Sequence, residues 1–154
     1  MKRLVPTFRE GILLVFCILF ICGMISAQDT TLAPAQGFDA QMYRLKGSAK
    51  VQFGDYQGAI EDFTKAIRKD EDYFEAYNDR GFAKMKMLDY EDAIADFDKA
   101  IDLNPKSYSA WYNRGASKYI TGKKENACFD LEKSFKLGSE KAKKTMQEYG
   151  CNDK

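Results

Sequence analysis

Histidine is absent from this 154-residue sequence, and that one absence removes whole classes of chemistry. Ser–His–Asp and Cys–His catalysis need an imidazole that exchanges a proton near neutral pH, and most catalytic zinc sites need imidazole ligands. Paired carboxylates could still do acid–base work, but the 23 acidic residues are scattered and no pair stands out. A surplus of one charge is missing too: 24 basic residues stand against 23 acidic ones, for a net charge of +1. Lys2, Arg3, Arg9 and Glu10 are the charges of positions 1–27, so the remainder carries a net of −1. Nucleic-acid binders gather positive charge on one face, because neutralising phosphates supplies much of their affinity. Here acids and bases interleave. The expectation is a chain with no catalytic activity, no nucleic-acid partner, no small-molecule substrate, and no metal or other cofactor.

Residues 1–27 read MKRLVPTFREGILLVFCILFICGMISA. A basic start precedes an apolar run from Ile12 to Phe20 and on through Ile25, and Ser26-Ala27 closes it. That order of charge, grease and small residues predicts a secretory signal peptide cut after Ala27, and hence a secreted or periplasmic protein. The competing reading is a membrane anchor over residues 11–25, although that run falls short of the roughly 20 apolar residues of a spanning helix. Lipidation at Cys17 or Cys22 is disfavoured by the bulky Phe16 and Ile21 before them. The next stretch, 28–39, begins QDTTLAPAQG without periodicity and predicts a flexible lead-in.

The stretch AWYNRGASKYITG (110–122) mixes Trp, Tyr, Asn and Arg around a Gly, as a ligand loop would. Laying the sequence over itself, with Gly47 on Gly81 and Gly81 on Gly115, explains it differently. Tyr43, Tyr77 and Trp111 then coincide. Ala59, Ala93 and Ala127 align, followed by Phe63, Phe97 and Leu131, then Ala66, Ala100 and Ser134. Three copies fit, over 40–73, 74–107 and 108–141. In YEDAIADFDKAIDL, Tyr90, Ala93, Ile94, Phe97, Ala100 and Ile101 form one apolar helical stripe, with Asp and Lys on the opposite side. Asp89 and Asp55 stand where helix N-caps accept bonds from free amides. Pro105, after Asn104, ends the second helix. The partner helix, FEAYNDRGFAKMKM, carries Tyr77, Gly81 and Ala83 on its buried side. A pair this short cannot bury its stripe alone; stacked copies close the core. Trp111 and Gly115 therefore share a packing face, with the glycine admitting the partner backbone.

These positions resemble the tetratricopeptide repeat family over residues 40–141: an aromatic, Gly four positions on, then Ala, aromatic and Ala along the second helix. Copy three departs from it at Lys124, Leu131 and Ser134. The resemblance implies an all-α fold, an α-solenoid of three helix-turn-helix repeats. It also implies a concave groove, lined by the first helices, that takes a peptide or protein segment. Carried over by position, the groove residues are Arg44, Ser48 and Gln52; Asn78, Phe82, Met85 and Lys86; then Tyr112, Asn113, Ala116 and Tyr119. Family members that hold a peptide's terminal carboxylates use a Lys/Asn clamp. This chain has Arg44 there but places Ser48, Asp79 and Ser109 at the other positions, so a mixed apolar and polar ligand segment fits better.

After Gly138, Ser139 can cap a further helix with Ala142, Met146 and Tyr149 at helical spacing. A polar-faced terminal helix of this kind is expected to cap the stack over 142–154. With the leader removed, two cysteines remain. Cys128 lies near the start of the last repeat helix and Cys151 just past the cap helix. Antiparallel neighbours would bring them together as a disulfide; two separate thiols are the alternative. The functional reading is an interaction adaptor. The alternative is a self-associating scaffold, tethered at a membrane if the amino terminus is uncleaved.

Overall fold

A computed structural model describes residues 36–151. The leader, most of the lead-in and the chain's last positions, 152–154, lie outside them. The described residues form seven α-helices and no strand: α1 (Gln36–Gln52), α2 (Tyr56–Lys69), α3 (Phe74–Lys86), α4 (Tyr90–Leu103), α5 (Tyr108–Ile120), α6 (Lys124–Lys136) and α7 (Glu140–Glu148). Each helix packs on the next, and α3 also touches both α1 and α5. The first helices of the three repeats therefore lie side by side, each backed by its second helix. Residues 36–39, expected in the lead-in, are instead the first turn of α1. Asp39 complements the positive end of that helix, and Ala40 just behind it is fully buried.

The core follows the recurrence seen in the sequence. Ala59, Ala93 and Ala127 are fully buried, and Phe63, Phe97 and Leu131 are at most 1% exposed. Ala66 and Ala100 are sealed likewise, and Ser134 takes their place in the third repeat. Its hydroxyl is satisfied by donating to the Tyr108 carbonyl at 2.8 Å, so the polar substitution costs little. The glycines of the first helices face these side chains. A Cβ at Gly81 would stand 2.8 Å from the Phe97 ring and 3.1 Å from the Ala93 carbonyl oxygen; at Gly47 it would stand 2.7 Å from the Phe63 ring. The close neighbour is thus a ring in two repeats, with backbone behind it at Gly81. In the third, the Ala127 carbonyl and Leu131 share the contact at 3.1 Å.

Within each repeat the helices are joined by the same turn. Gly54 and Gly122 adopt φ of 79° and 81°, and Leu88 holds the equivalent place at 70°. The amides that follow return to the first helix: Asp55 to the Lys50 carbonyl, Asp89 to Lys84 and Lys123 to Lys118. Asp55 caps α2 by accepting from the Gly58 amide at 2.9 Å. Asp89, expected to do the same, sits at the N-cap of α4 without a side-chain cap bond. Between repeats, Asp70 and Asn104 terminate α2 and α4, accepting at 3.1 Å from the amides of Asp72 and Lys106. Pro105 is therefore not required for the stop, because the first repeat ends alike with Glu71 in that place.

Asp62, Asp96 and Asp130 occupy the same place in successive repeats and are buried, which departs from the expectation that charges line the outer side of the second helices. Each lies against cations of its own first helix. Arg80 binds Asp96 with both Nε (2.9 Å) and Nη2 (2.7 Å), and Lys84 approaches the same carboxylate at 2.9 Å. Arg114 and Lys118 repeat this at Asp130. In the first repeat Lys50 does it alone from the first helix, at 2.6 Å from Asp62, joined by Lys65. Burial by itself would raise the Asp62 pKa, but bonds from Lys50 and Lys65 outweigh it and hold the carboxyl below its ordinary value.

Two substitutions test this packing. Gly81→Leu pushes a side chain into Phe97 and should cost about 2 kcal/mol or more in denaturant unfolding; an unchanged midpoint would contradict the helix pairing. Leu88→Gly relieves a left-handed leucine whose side chain is 69% exposed. It should raise stability by about 0.5–1 kcal/mol after the extra freedom of the unfolded glycine is counted, and a lower melting temperature would contradict it.

Candidate functional site

The first helices α1, α3 and α5 present the candidate binding residues. Their α1–α3 half encloses a cleft of about 200 Å³ lined by Ser48, Val51, Gln52, Phe63, Asp79 and Phe82. Phe63, a buried core side chain, lies behind it, with Ser48, Gln52 and Phe82 among the lining residues. Lys86 lies over the Phe82 ring at 5.2 Å, setting a cation beside this apolar side chain. Met85, one turn from Phe82, is half-buried. Val51 escaped the positional reading, which places Asp79 only as a departure from a carboxylate clamp. Val51 packs partly on the core, and its role follows only from the way α1 leans on α3.

A polar seam runs beside the cleft. Arg44 donates from Nε to the Tyr73 hydroxyl at 2.8 Å and from Nη1 to Asp79 at 2.9 Å. Asn78 donates to Asp79 at 3.3 Å and accepts from Asn113 at 3.3 Å. All three repeats are thereby joined across this face. Burial alone would lower the Arg44 pKa, but the bonds to Asp79 and Tyr73 outweigh it and keep the guanidinium firmly charged. Its charge is spent within the chain. A carboxylate entering here would have to displace Asp79 and leave that acid without its partner.

The other half of the face is covered. Tyr119 stacks on Tyr149 with ring centroids 3.6 Å apart and planes 10° from parallel. The Tyr112 hydroxyl meets Thr145 at 3.2 Å, and Lys141 lies 4.6 Å over its ring. Both tyrosines therefore serve the docking of α7 rather than an open groove, and Ala116 between them is half-buried. Burial, with neighbouring Tyr112, Tyr119 and Glu148 adding to it, pushes the Tyr149 pKa up. Helix α7 starts at Glu140, ahead of the expected cap boundary at 142, with the Ser139 hydroxyl accepting from the Ala142 amide. Its far end is tied down: Cys128 and Cys151 form a disulfide, S–S 2.03 Å, with Cα atoms 5.4 Å apart. A hollow of about 560 Å³ beside that bond is lined by Phe129, Glu132 and Met146 among others and holds none of the groove candidates. Trp111, central to the stretch that resembled a ligand loop, packs on Ala100, Ile101 and Ala110 and donates to the Pro105 carbonyl at 2.9 Å.

Among the described residues no cluster of His, Cys, Asp or Glu could hold a metal ion, and no helix is long and apolar enough to cross a membrane. Family models described as "Tetratricopeptide repeat" and "TPR repeat" match residues 74–107 and 47–87. Between them these tetratricopeptide repeat models account for residues 47–107 of the chain. No curated protein matches it in sequence. Several solved tetratricopeptide repeat domains match it in structure. The second such domain of Spaghetti (RPAP3), bound to the HSP90 peptide SRMEEVD, is 29% identical with a TM-score of 0.64, over 64% of this chain and 92% of that one. The second domain of human RPAP3, in complex with the HSP70 peptide SGPTIEEVD, is 26% identical with a TM-score of 0.68, over 75% and 95%. The Arabidopsis OM64 domain, at 19% identity and a TM-score of 0.73 over 75% and 98%, shares the fold. Two of these neighbours were thus solved with a peptide bound.

The disulfide closes a loop whose ends are 23 residues apart in sequence, which corresponds to about 3 kcal/mol in the loop-entropy picture. Cys128→Ser combined with Cys151→Ser should reduce unfolding free energy by about that amount. Amides of α7 should also lose hydrogen-exchange protection before those of α2 to α5. Protection of α7 equal to that of the oxidised protein would contradict the tether.

Proposed function

We propose that this protein is an exported, non-catalytic adaptor that binds a partner segment at the α1–α3 half of its first-helix face. The carrying observation is the cleft lined by Ser48, Gln52 and Phe82 beside an Arg44 already neutralised by Asp79. An apolar side chain of the ligand seats against Phe82 and Val51, while its backbone meets Gln52, Asn78 and Asn113. Such a site disfavours carboxylate-terminated ligands of the SRMEEVD kind: the cation at the expected position, Arg44, is already bonded to Asp79 and would have to give up that partner. Export is supported by the leader-like order of residues 1–27 and by a disulfide, a bond that persists in oxidising compartments.

Selection of a displayed peptide library on the purified protein tests both parts. The expected winners carry an apolar anchor flanked by polar residues, without preference for a free acidic carboxyl terminus. Phe82→Ala should weaken the winners by about tenfold or more and leave the melting temperature within a few degrees of wild type. Enrichment of acidic C-terminal sequences, or affinity unchanged by Phe82→Ala, would overturn the reading.

A further inference from the structure

The outer face of α1 carries a second surface that borders the groove at Gln52 and does not rest on the reading above. Phe38, Met42 and Leu45 are 64%, 39% and 56% exposed, Ala49 is exposed, and Phe53 just past the helix is 88% exposed. Their successive steps of four, three, four and four positions put all five on one side of the helix axis. Gly47 and Ala40, which face the core, lie on the opposite side. Arg44 and Ser48 of the groove lie about a quarter-turn or more from the middle of this stripe, and Gln52, seven positions after Leu45, borders it.

The repeat explains what this side of α1 is. In the second and third repeats the place of Met42 is taken by Ala76 and Ala110, and that of Ala49 by Ala83 and Ser117. All four are fully buried. Ala76 packs with Ala66 and Ile67 of the preceding repeat, Ala83 with Ala59 and Phe63, and Ala110 with Ala100 and Ile101. Helix α1 thus exposes the face that α3 and α5 bury on a neighbouring helix. It is also enlarged beyond what stacking alone uses. Phe38 and Leu45 correspond to Asp72 and Asp79 in the second repeat, and to Lys106 and Asn113 in the third. A solvated end would carry polar residues at these places.

We propose that two copies of this chain associate through α1, antiparallel across a two-fold axis between Met42 and Leu45. The 4–3–4 spacing of Phe38, Met42, Leu45 and Ala49 is that of a two-helix seam. The two-fold sets Met42 against Leu45 and the large Phe38 against the small Ala49, and a patch that is its own complement is what such symmetry needs. The flanks agree in charge: Lys46 of one copy comes over the Asp39 end of the other, and no two cations face one another. From these exposures, and from the 150–250 Å² an aromatic side chain buries, the stripe offers on the order of 500 Å² per copy. A pair then buries on the order of 1,000 Å², the size at which a specific though reversible interface begins.

Sedimentation equilibrium of the full, naturally processed protein, between about 1 and 100 µM, tests this. The weight-average mass should rise toward twice the monomer with concentration. Leu45→Glu or Phe38→Lys, at exposed positions that leave the helical spectrum intact, should weaken association at least tenfold, and Ile120→Glu, at an exposed site on α5, should not. A wild-type protein monomeric throughout, as when upstream residues fold back over α1, overturns the proposal. So does a dimer that persists in both α1 variants, which would place association elsewhere, including the apolar residues 12–25.

Discussion

Contact between a glycine on each first helix and a large apolar side chain on its partner sets the geometry of this molecule. Phe63 and Phe97 lie where a Cβ on Gly47 or Gly81 would be, so the helices of a pair approach more closely than any side chain there would allow. That approach recurs at the same place in every repeat, and the recurrence lines α1, α3 and α5 up beside one another. The candidate binding face depends on those three helices being held in register. The third repeat keeps the glycine and substitutes Leu131, and the pairing there is completed by the Ala127 carbonyl.

A buried aspartate in each repeat adds orientation to closeness. With Arg80 and Lys84 on Asp96, and Arg114 and Lys118 on Asp130, rotation of a first helix about its axis would strand a buried carboxylate. Among the described residues every buried polar side-chain atom has a partner. These pairs fix which side of each first helix faces outward, and therefore which side chains a ligand can meet.

The fold was legible in the sequence because it rests on apolar identity at a fixed interval, and burial is a property that composition reports well. Asp62, Asp96 and Asp130 were not seen, since a single amphipathic helix reads an acid as solvent-facing; only the matching recurrence of Lys50, Lys84 and Lys118 would have exposed them. The candidate groove was half legible. Ser48, Gln52, Asn78, Phe82 and Asn113 do share a face. Tyr112 and Tyr119 belong to the same positional pattern but are claimed by α7, whose docking depends on Tyr149, Thr145 and a disulfide that the repeat period does not encode. The Arg44–Asp79 pair appeared in the sequence only as a mismatch to a carboxylate clamp; the structure turns that mismatch into a reason for a different ligand. Asp89 shows the limit of local rules, occupying an N-cap without capping.

The two ends of the stack are treated differently. Among the described residues, helix α7 covers one end and is held by a covalent bond, and the outer face of α1 at the other end is apolar with no helix packed on it. Between them lies the small cleft beside Phe82 that forms the candidate site. The most direct measurement is site-specific photo-crosslinking in the native host, with the reactive side chain placed at Phe82, and at Phe129 on the far side as the reference. A discrete partner adduct from position 82 that is absent from position 129 is the result this account predicts. Adducts of equal yield from both positions, or from 129 alone, would contradict it.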